Sequence, residues 1–187
     1  MSKLQKLRAA MAEKGFDAVI ITSEVNQRYI TGFNFQDGLV LVTASRAVLI
    51  TDFRYIEAAK ASKAAGIFEI MTPDKRQSAV VAEIVKDCGG KVAAVEEAKI
   101  SLSGYEAFKA ALEGCEVKGG ASAILTEMRM VKTEAELENM AEAQRITDAA
   151  FSHIINILHP DMTEIDVALE IEFFMRKSGI LMHISSL

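Results

Sequence analysis

Short hydrophobic runs alternate with segments of helical spacing over the first two thirds of the chain. Apolar runs of strand length predict six strands, at 18–22, 38–43, 47–51, 68–71, 92–96 and 115–118. Apolar residues at helical spacing predict helices over 2–14, 55–65 and 78–88, one from Ser101 or Ser103 to Leu112, and a short helical turn between Ser23 and Tyr29. The runs at 38–43 and 47–51 predict a β-hairpin. This order predicts an α/β fold, in which helices flank a mixed sheet.

The pattern changes after Gly119-Gly120, because no strand-like run follows between 121 and 178. Helical spacing predicts a long helix that begins after Thr133 and is stopped by Pro160, and a second helix from Thr163 to about Ser178. Glu136 and Asp166 each follow their threonine by three residues, as in a capping box. We therefore predict two domains, 1–122 and 123–187, of which the second is helical.

Charge and composition narrow the classes of partner. The chain has 187 residues and a formal net charge of −5, which argues against binding to nucleic acid phosphates. Its apolar runs are too short for a membrane span, and its first residues lack the apolar region of a secretory signal. Cys88 and Cys115 stand in no CxxC motif, which suits free thiols in a reducing cytoplasm. We therefore expect a cytoplasmic protein without a membrane or nucleic-acid partner.

Common catalytic motifs are missing from the sequence. The histidines, His153, His159 and His183, have no metal-binding spacing, and we interpret the first two as structural. GxSxG, GxGxxG and Walker A motifs are absent. Glu96 and Glu97 are adjacent, so their side chains should point to opposite faces of a strand. A solvated face or a helix cap explains these two carboxylates more simply than paired catalysis.

Polar and aromatic residues are concentrated after two of the predicted strands. One run covers 26–33, and the other is Thr51-Asp52-Phe53-Arg54-Tyr55. Loops after strands are where α/β folds place ligand-binding groups, and an arginine there can bind a carboxylate with two hydrogen bonds. Alternatively, Asp52 caps the next helix and Arg54 forms a surface salt bridge. The residues alone leave both interpretations open.

Several segments, in order, resemble one family. The segments 28–33 and 49–55 resemble the creatinase-type N-terminal domain of proline-specific metallopeptidases. Met128–Leu137 resembles the R-x-x-K-T/S-x-x-E-[LI] segment that leads into their catalytic domain, and further similarity lies at 146–151, 160–168 and 170–176. The sequence is thereby identified as similar to Xaa-Pro dipeptidase (prolidase) and aminopeptidase P, the pita-bread metallopeptidases.

The resemblance implies hydrolysis of the peptide bond before proline by two divalent metals, Mn, Co or Zn. In the family order the five ligands follow the helix that ends here near Lys177, so no metal ligand and no catalytic residue is assigned to this chain. Asp161, Asp166 and Glu172 belong to the preceding helical motif and are not ligands. We therefore expect this chain to bind no metal cofactor, although the full-length family acts on proline-containing peptides and is expected to form homodimers.

The resemblance also implies a substrate-facing surface on the N-terminal domain, which in the family covers the partner subunit's active site. We expect Arg54 to hold a peptide carboxylate or carbonyl and Asp52 to orient its guanidinium. Tyr55 and Tyr29, in the same two loops, complete the predicted substrate-binding set.

Two positions depart from the family pattern. Asp161 replaces the glycine of a PGMTE motif and would be strained in a left-handed conformation. The segment 180–187 does not match, which suggests a truncated or frameshifted product that is inactive alone. Without a sheet to cover them, the apolar stripes of the last two helices predict self-association or mobility. Alternatives are a non-enzymatic α/β binding or dimerisation module and a fragment of a creatinase-like amidinohydrolase.

Overall fold

A computed structural model of the chain describes residues 1–179. Fourteen helices and strands, apart from one short 3₁₀ turn, occur in the order α1 (Lys3–Lys14), β1 (Ala18–Ile21), α2 (Glu24–Thr31), β2 (Leu39–Thr43), β3 (Ala47–Ile50), α3 (Ile56–Ala61), β4 (Glu69–Met71), α4 (Gln77–Asp87), β5 (Val92–Val95), α5 (Leu102–Ala111), β6 (Glu116–Lys118), α6 (Ala121–Met130), α7 (Glu134–Ile157) and α8 (Glu164–Lys177). They form two compact units, the first over Met1–Val131 and the second from Lys132 onward.

The first unit is built on a six-stranded sheet with the order β4-β3-β2-β1-β5-β6. β2 pairs antiparallel with both β1 and β3, and the other pairs are parallel. Five strands therefore point in one direction and only β2 runs the other way. The predicted mixed sheet and the β2–β3 hairpin are confirmed.

Helices cover both faces of this sheet. On one face, Val19 and Ile21 of β1 share a core with Leu7 of α1 and with Ile124 and Leu125 of α6. On the other face, the alternate residues of β1 share a core with α4 and α5. Because both faces are covered, the central strands are apolar at successive positions instead of alternating. The flanked α/β sheet expected from the sequence is confirmed.

Helix α6 was not predicted, and it extends the first unit to Val131, past the predicted domain boundary at 122. It packs on α1 and β1, and it buries Ile124 and Leu125. The predicted helix over 55–65 is interrupted, because the Ser62 hydroxyl accepts the Ala64 N–H and begins a separate 3₁₀ turn.

The second unit contains α7 and α8, which pack against each other. Both predicted capping boxes are present, at Thr163 with Asp166 and at Thr133 with Glu136. His153 lies between the two helices, where a ring nitrogen is 2.8 Å from Glu170 and the ring stacks on Phe174 at 4.6 Å between centroids. This contact agrees with the structural role expected for His153.

Large apolar side chains of the second unit are exposed. Those of the first predicted stripe include Phe151, Ile155 and Leu158, whereas the exposed Ile165 and Phe173 of α8 lie outside the stripe predicted there. The four residues of that predicted α8 stripe are half-buried: Val167, Ile171, Phe174 and Met175. Within residues 1–179, Asp37 is the one non-glycine residue with a positive φ, so Asp161 does not carry the left-handed strain that the missing glycine suggested. The segment 180–187, which includes His183, lies outside the described residues.

Candidate functional site

The predicted polar loops meet at one edge of the sheet. β1, β3 and β5 are parallel, so the segments that follow them lie at the same edge. β2 runs in the opposite direction, and the loop that precedes it therefore reaches this edge as well. This carboxyl edge is where α/β sheets commonly bind ligands.

Arg54 is held there between two carboxylates. Its Nε and Nη2 donate to Oδ2 of Asp52 at 2.9 and 2.5 Å, and Nη2 also donates to Oδ2 of Asp37 at 2.5 Å. The Arg54 backbone N–H donates to Oδ1 of Asp52 at 2.9 Å, which fixes the loop around the pair. We call Asp37, Asp52 and Arg54 the edge cluster. Its two carboxylates and one guanidinium leave one net negative charge.

These hydrogen bonds also affect protonation. The bond from Arg54 lowers the pKa of Asp52, and the bonds to Asp52 and Asp37 raise the pKa of Arg54. All three side chains are partly or largely exposed, so solvent screens the pairing and limits its contribution to stability. The pairing therefore favours the charged forms of Asp52 and Arg54, and the cluster remains accessible to a ligand.

Asp52 orients the guanidinium and does not cap the following helix. The N-cap of α3 is Tyr55, and no side chain accepts a capping hydrogen bond there. Within the alternative interpretation, the Asp52 cap is thus wrong and the surface ion pair of Arg54 is present, whereas ligand binding by Arg54 stays a prediction. Asp37 was not singled out, although the Asp37-Gly38 dipeptide is a recognisable turn signal.

The two predicted tyrosines have different surroundings. The Tyr55 ring centroid lies 5.5 Å from Cζ of Arg54, a cation–π contact that joins it to the edge cluster. The Tyr29 hydroxyl donates to the Met128 carbonyl at 2.9 Å, and Nζ of Lys3 lies 4.0 Å from its ring centroid. Tyr29 thus links α2 to α1 and α6.

A cleft of about 490 Å³ adjoins the edge cluster at Asp37. We call it the Gln27 cleft; its lining residues are Thr22, Glu24, Gln27, Asp37, Gly38, Gln77 and Phe108. Asp37 has a φ of 53°, a left-handed conformation that is uncommon outside glycine. Gln77 stabilises it there, since its Nε2 donates to the Asp37 carbonyl at 3.0 Å.

Glu96 is a buried carboxylate at the same edge. It is fully buried and accepts hydrogen bonds from the backbone N–H groups of Thr22 and Ser23 at 2.5 and 2.8 Å. The Ser23 hydroxyl and Nδ2 of Asn26 donate to its other oxygen at 2.7 and 2.6 Å. Glu96 therefore caps the start of α2 from outside the helix, and the alternative of a solvated face is wrong for this residue.

The neighbouring Glu97 caps a different helix. Its Oε2 accepts the backbone N–H groups of Gly120 and Ser122 at 2.8 and 3.4 Å, at the start of α6. Burial favours the neutral carboxyl, but these hydrogen bonds outweigh it and lower the pKa of Glu97. The two adjacent glutamates thus anchor two helices, as the helix-cap interpretation allowed.

The remaining candidates offer less chemistry. A cavity of about 560 Å³ lies between α4 and α5 and reaches Cys115, whose pKa is raised by burial. Both cysteines are free thiols. Over residues 1–179, no group of three or more His, Cys, Asp or Glu is placed to hold a metal ion. Nor does that part of the chain contain a helix of the length and apolarity needed to cross a membrane.

Comparison with known proteins gives two family matches. Residues 3–131 match the Creatinase/Prolidase N-terminal domain, and residues 138–186 match metallopeptidase family M24. The second match extends past Gly179, where we expected the family pattern to end. The first match covers nearly the same residues as the first compact unit.

Individual relatives agree with these matches. The chain is 35% identical to an uncharacterized peptidase of Bacillus subtilis, YqhT, over 95% of this chain and 49% of the relative. It is similar to the solved Xaa-Pro dipeptidase from Bacillus anthracis, with a TM-score of 0.85 and 38% identity over 95% of this chain and 49% of that one. The X-Pro aminopeptidase from Thermotoga maritima gives a TM-score of 0.78 and 30% identity over 88% and 47%.

The chain spans about half the length of these relatives. The match over residues 3–131 nevertheless shows to which family the larger part of the chain belongs. The solved neighbours also share the fold of each unit. The chain thus belongs to the creatinase/prolidase family and is a prolidase- or aminopeptidase P-like protein.

Proposed function

We propose that this chain serves as the amino-terminal part of an Xaa-Pro dipeptidase or aminopeptidase P-like metallopeptidase, which hydrolyses the peptide bond preceding proline. The observation that carries the proposal is the edge cluster, an arginine oriented by two carboxylates and exposed at the carboxyl edge of the sheet in a domain of this family. Related proteins named as Xaa-Pro dipeptidases support the substrate class.

In this proposal Arg54, Asp52, Tyr55 and Tyr29 contribute to the substrate-facing surface. The two carboxylates occupy Nε and Nη2 of Arg54, so Nη1 is the nitrogen that remains for a substrate oxygen. A peptide carbonyl suits it better than a carboxylate, because the cluster already has one net negative charge. Tyr55 then offers its ring beside the guanidinium, and Tyr29 holds α2 in place.

The assembly proposed is a cytoplasmic homodimer that acts on proline-containing peptides with two divalent metals. The described residues do not fit a two-metal centre, since no suitable group of ligands occurs among them. We therefore assign no metal-dependent step to this chain, and we propose that the 187-residue chain alone does not hydrolyse Xaa-Pro peptides.

Two measurements test the proposal. The purified chain is incubated with Ala-Pro and Mn²⁺, Co²⁺ or Zn²⁺, and we expect no release of proline; metal-dependent cleavage would contradict the assignment of no catalytic residue. Binding is followed by NMR through the Arg54 Nε–H signal, which we expect Ala-Pro to shift.

A matched control distinguishes binding from general charge effects. Followed through the backbone N–H signals of residues 52–55, which the parent chain and the variant both carry, Arg54→Lys should abolish the response to Ala-Pro, since lysine lacks the planar fork that two carboxylates orient. Arg145→Lys serves as the control, because Arg145 forms a similar two-nitrogen contact with Glu142 on an exposed helix face. An unchanged affinity in Arg54→Lys would refute the role of the edge cluster.

A creatinase-like amidinohydrolase is the second candidate, because the family of the first unit includes creatinase. Creatine replaces Ala-Pro in the same NMR titration. A shift of the Arg54 signal by creatine and none by Ala-Pro would favour this candidate. Shifts by neither ligand would favour a non-enzymatic binding or dimerisation module.

A further inference from the structure

One lining residue of the Gln27 cleft, Gln27 itself, is only 1% exposed. Within residues 1–179, only one of the two polar atoms of its side-chain amide has a hydrogen-bond partner. Its Nε2 donates to the carbonyl oxygens of Gly38 at 2.8 Å and Ile21 at 3.4 Å. These two acceptors fix the orientation of the amide, since an exchange of its oxygen and nitrogen would place oxygen against oxygen. Oε1 is left without a hydrogen-bond donor among the described residues.

An unpaired buried acceptor is unfavourable, and a ligand or water that donates to it removes that penalty. Because Oε1 is buried, the donor that reaches it must be slender. A primary ammonium group meets this requirement, whereas a quaternary ammonium has no N–H to donate.

The charge of the cleft favours the same group. Glu24 and Asp37 both line it, and its lining residues include no lysine, arginine or histidine. The arginine nearest along the hydrogen-bond network, Arg54, is shared between Asp37 and Asp52 and leaves the edge cluster negative. A cation therefore gains from entering the cleft.

The remaining lining residues suit a small organic cation rather than a bare ion. Phe108 is buried and provides an apolar surface for a short side chain next to the ammonium. Asp37 is held with a positive φ by its contacts with Arg54 and Gln77, and such backbone strain is typical of ligand-binding sites.

We infer that the Gln27 cleft binds the primary ammonium group of a small ligand, with Gln27 Oε1 accepting an N–H and Glu24 and Asp37 balancing the charge. The further step, that this ammonium is the amino terminus of a peptide, rests on the proposed function.

The test is an NMR titration of the full chain that follows the Gln27 side-chain amide signals. The probes are n-propylammonium chloride, Ala-Pro-amide, its N,N,N-trimethyl derivative and N-acetyl-Ala-Pro. We expect the first two to shift the Gln27 signals and the last two to leave them unchanged. Glu24→Gln and Asp37→Asn should each weaken binding by at least about threefold, and Glu13→Gln, an exposed change on α1, should not.

Each outcome has a distinct meaning. Binding of n-propylammonium without Ala-Pro-amide supports the ammonium site and counts against a peptide ligand. An Arg54 shift with N-acetyl-Ala-Pro, without any Gln27 shift by the ammonium probes, overturns the ammonium site and leaves the proposed function intact. The ammonium site is also overturned if the trimethyl derivative shifts the Gln27 signals as much as Ala-Pro-amide does. A trimethylammonium group has no N–H to donate, so the shift would not report a hydrogen bond to Oε1. Asparagine tolerates positive φ, so Asp37→Asn should fold, and the probe comparison does not depend on it.

Discussion

Replacement of Glu96 by glutamine should destabilise the first unit far more than the same change at Glu97. The two glutamates are adjacent, and both cap helices with hydrogen bonds to backbone N–H groups. Glu96, however, is fully buried and accepts from five donors, whereas Glu97 is exposed. Glu97→Gln is therefore a control of identical chemistry at the next position.

The expected loss follows from the donors that a glutamine would face. An amide nitrogen at Oε2 would oppose two fixed backbone N–H groups, so it would take the place of Oε1. There it would oppose Nδ2 of Asn26, a second hydrogen-bond donor. The Asn26 amide cannot exchange its nitrogen and oxygen to relieve this contact, because its Oδ1 accepts a hydrogen bond from Nη1 of Arg129 at 3.2 Å. The variant also loses the charge that strengthens the remaining bonds. Hydrogen bonds to charged groups contribute about 1.5–3 kcal/mol each, so we expect a loss of about 2–4 kcal/mol.

Glu97→Gln retains an acceptor for Gly120 and loses only a charge at the start of α6, which predicts a loss below about 1 kcal/mol. Urea unfolding of the full chain, followed by tyrosine fluorescence, measures both. All three tyrosines, Tyr29, Tyr55 and Tyr105, lie in the first unit, so the signal reports that unit alone. With a urea slope of about 2 kcal/mol per molar, the Glu96→Gln midpoint should fall by roughly 1–2 M. Equal midpoints for the two variants would refute the reasoning.

Three further predictions concern other parts of the chain. Gly38→Ala should cost about 1–3 kcal/mol in urea unfolding, since a Cβ there would overlap backbone and ring atoms, whereas Gly66→Ala, which meets open space, should be nearly neutral. Hydrogen bonds with Thr163 lower the pKa of Asp166 in the folded chain. Their contribution to the stability of α8 is therefore present near neutral pH and is lost as the pH falls through that folded pKa. Thr163→Ala should raise the pKa of Asp166, as measured by NMR titration of its carboxyl group. Phe151→Ser should reduce concentration-dependent association in sedimentation velocity, because Phe151 is 66% exposed.

Sequence patterns predicted the structure correctly where the interacting residues are close together in the chain. The capping boxes at Thr133 and Thr163 involve residues three apart, and both could be predicted from their spacing. The Asp52–Arg54 contact is also local, but it was expected from the family resemblance and not from spacing. The apolar runs likewise located the strands, because burial on both faces leaves few polar positions in them.

Sequence patterns did not predict contacts between residues that are far apart in the chain. The sequence could not show which helix Glu96 caps, because its donors, Thr22 and Asn26, lie more than sixty positions earlier in the chain. Helix α6 lacks a capping side chain of its own and takes one from Glu97, so no start signal precedes it. Sheet pairing, which the sequence does not specify residue by residue, creates both contacts.

The charge of the edge cluster determines which end of a peptide it can attract. A single arginine beside one aspartate would be neutral, and a carboxylate could bind it at little electrostatic cost. Asp37 changes this balance, because its carboxylate also contacts Arg54 and leaves one net negative charge. An incoming carboxylate would then compete with two carboxylates already in place, whereas a carbonyl oxygen needs only the free Nη1 and an ammonium is attracted outright. Asp37→Asn should therefore weaken the binding of Ala-Pro-amide and strengthen that of N-acetyl-Ala-Pro, and only a change of opposite sign in the two affinities is consistent with this assignment of roles.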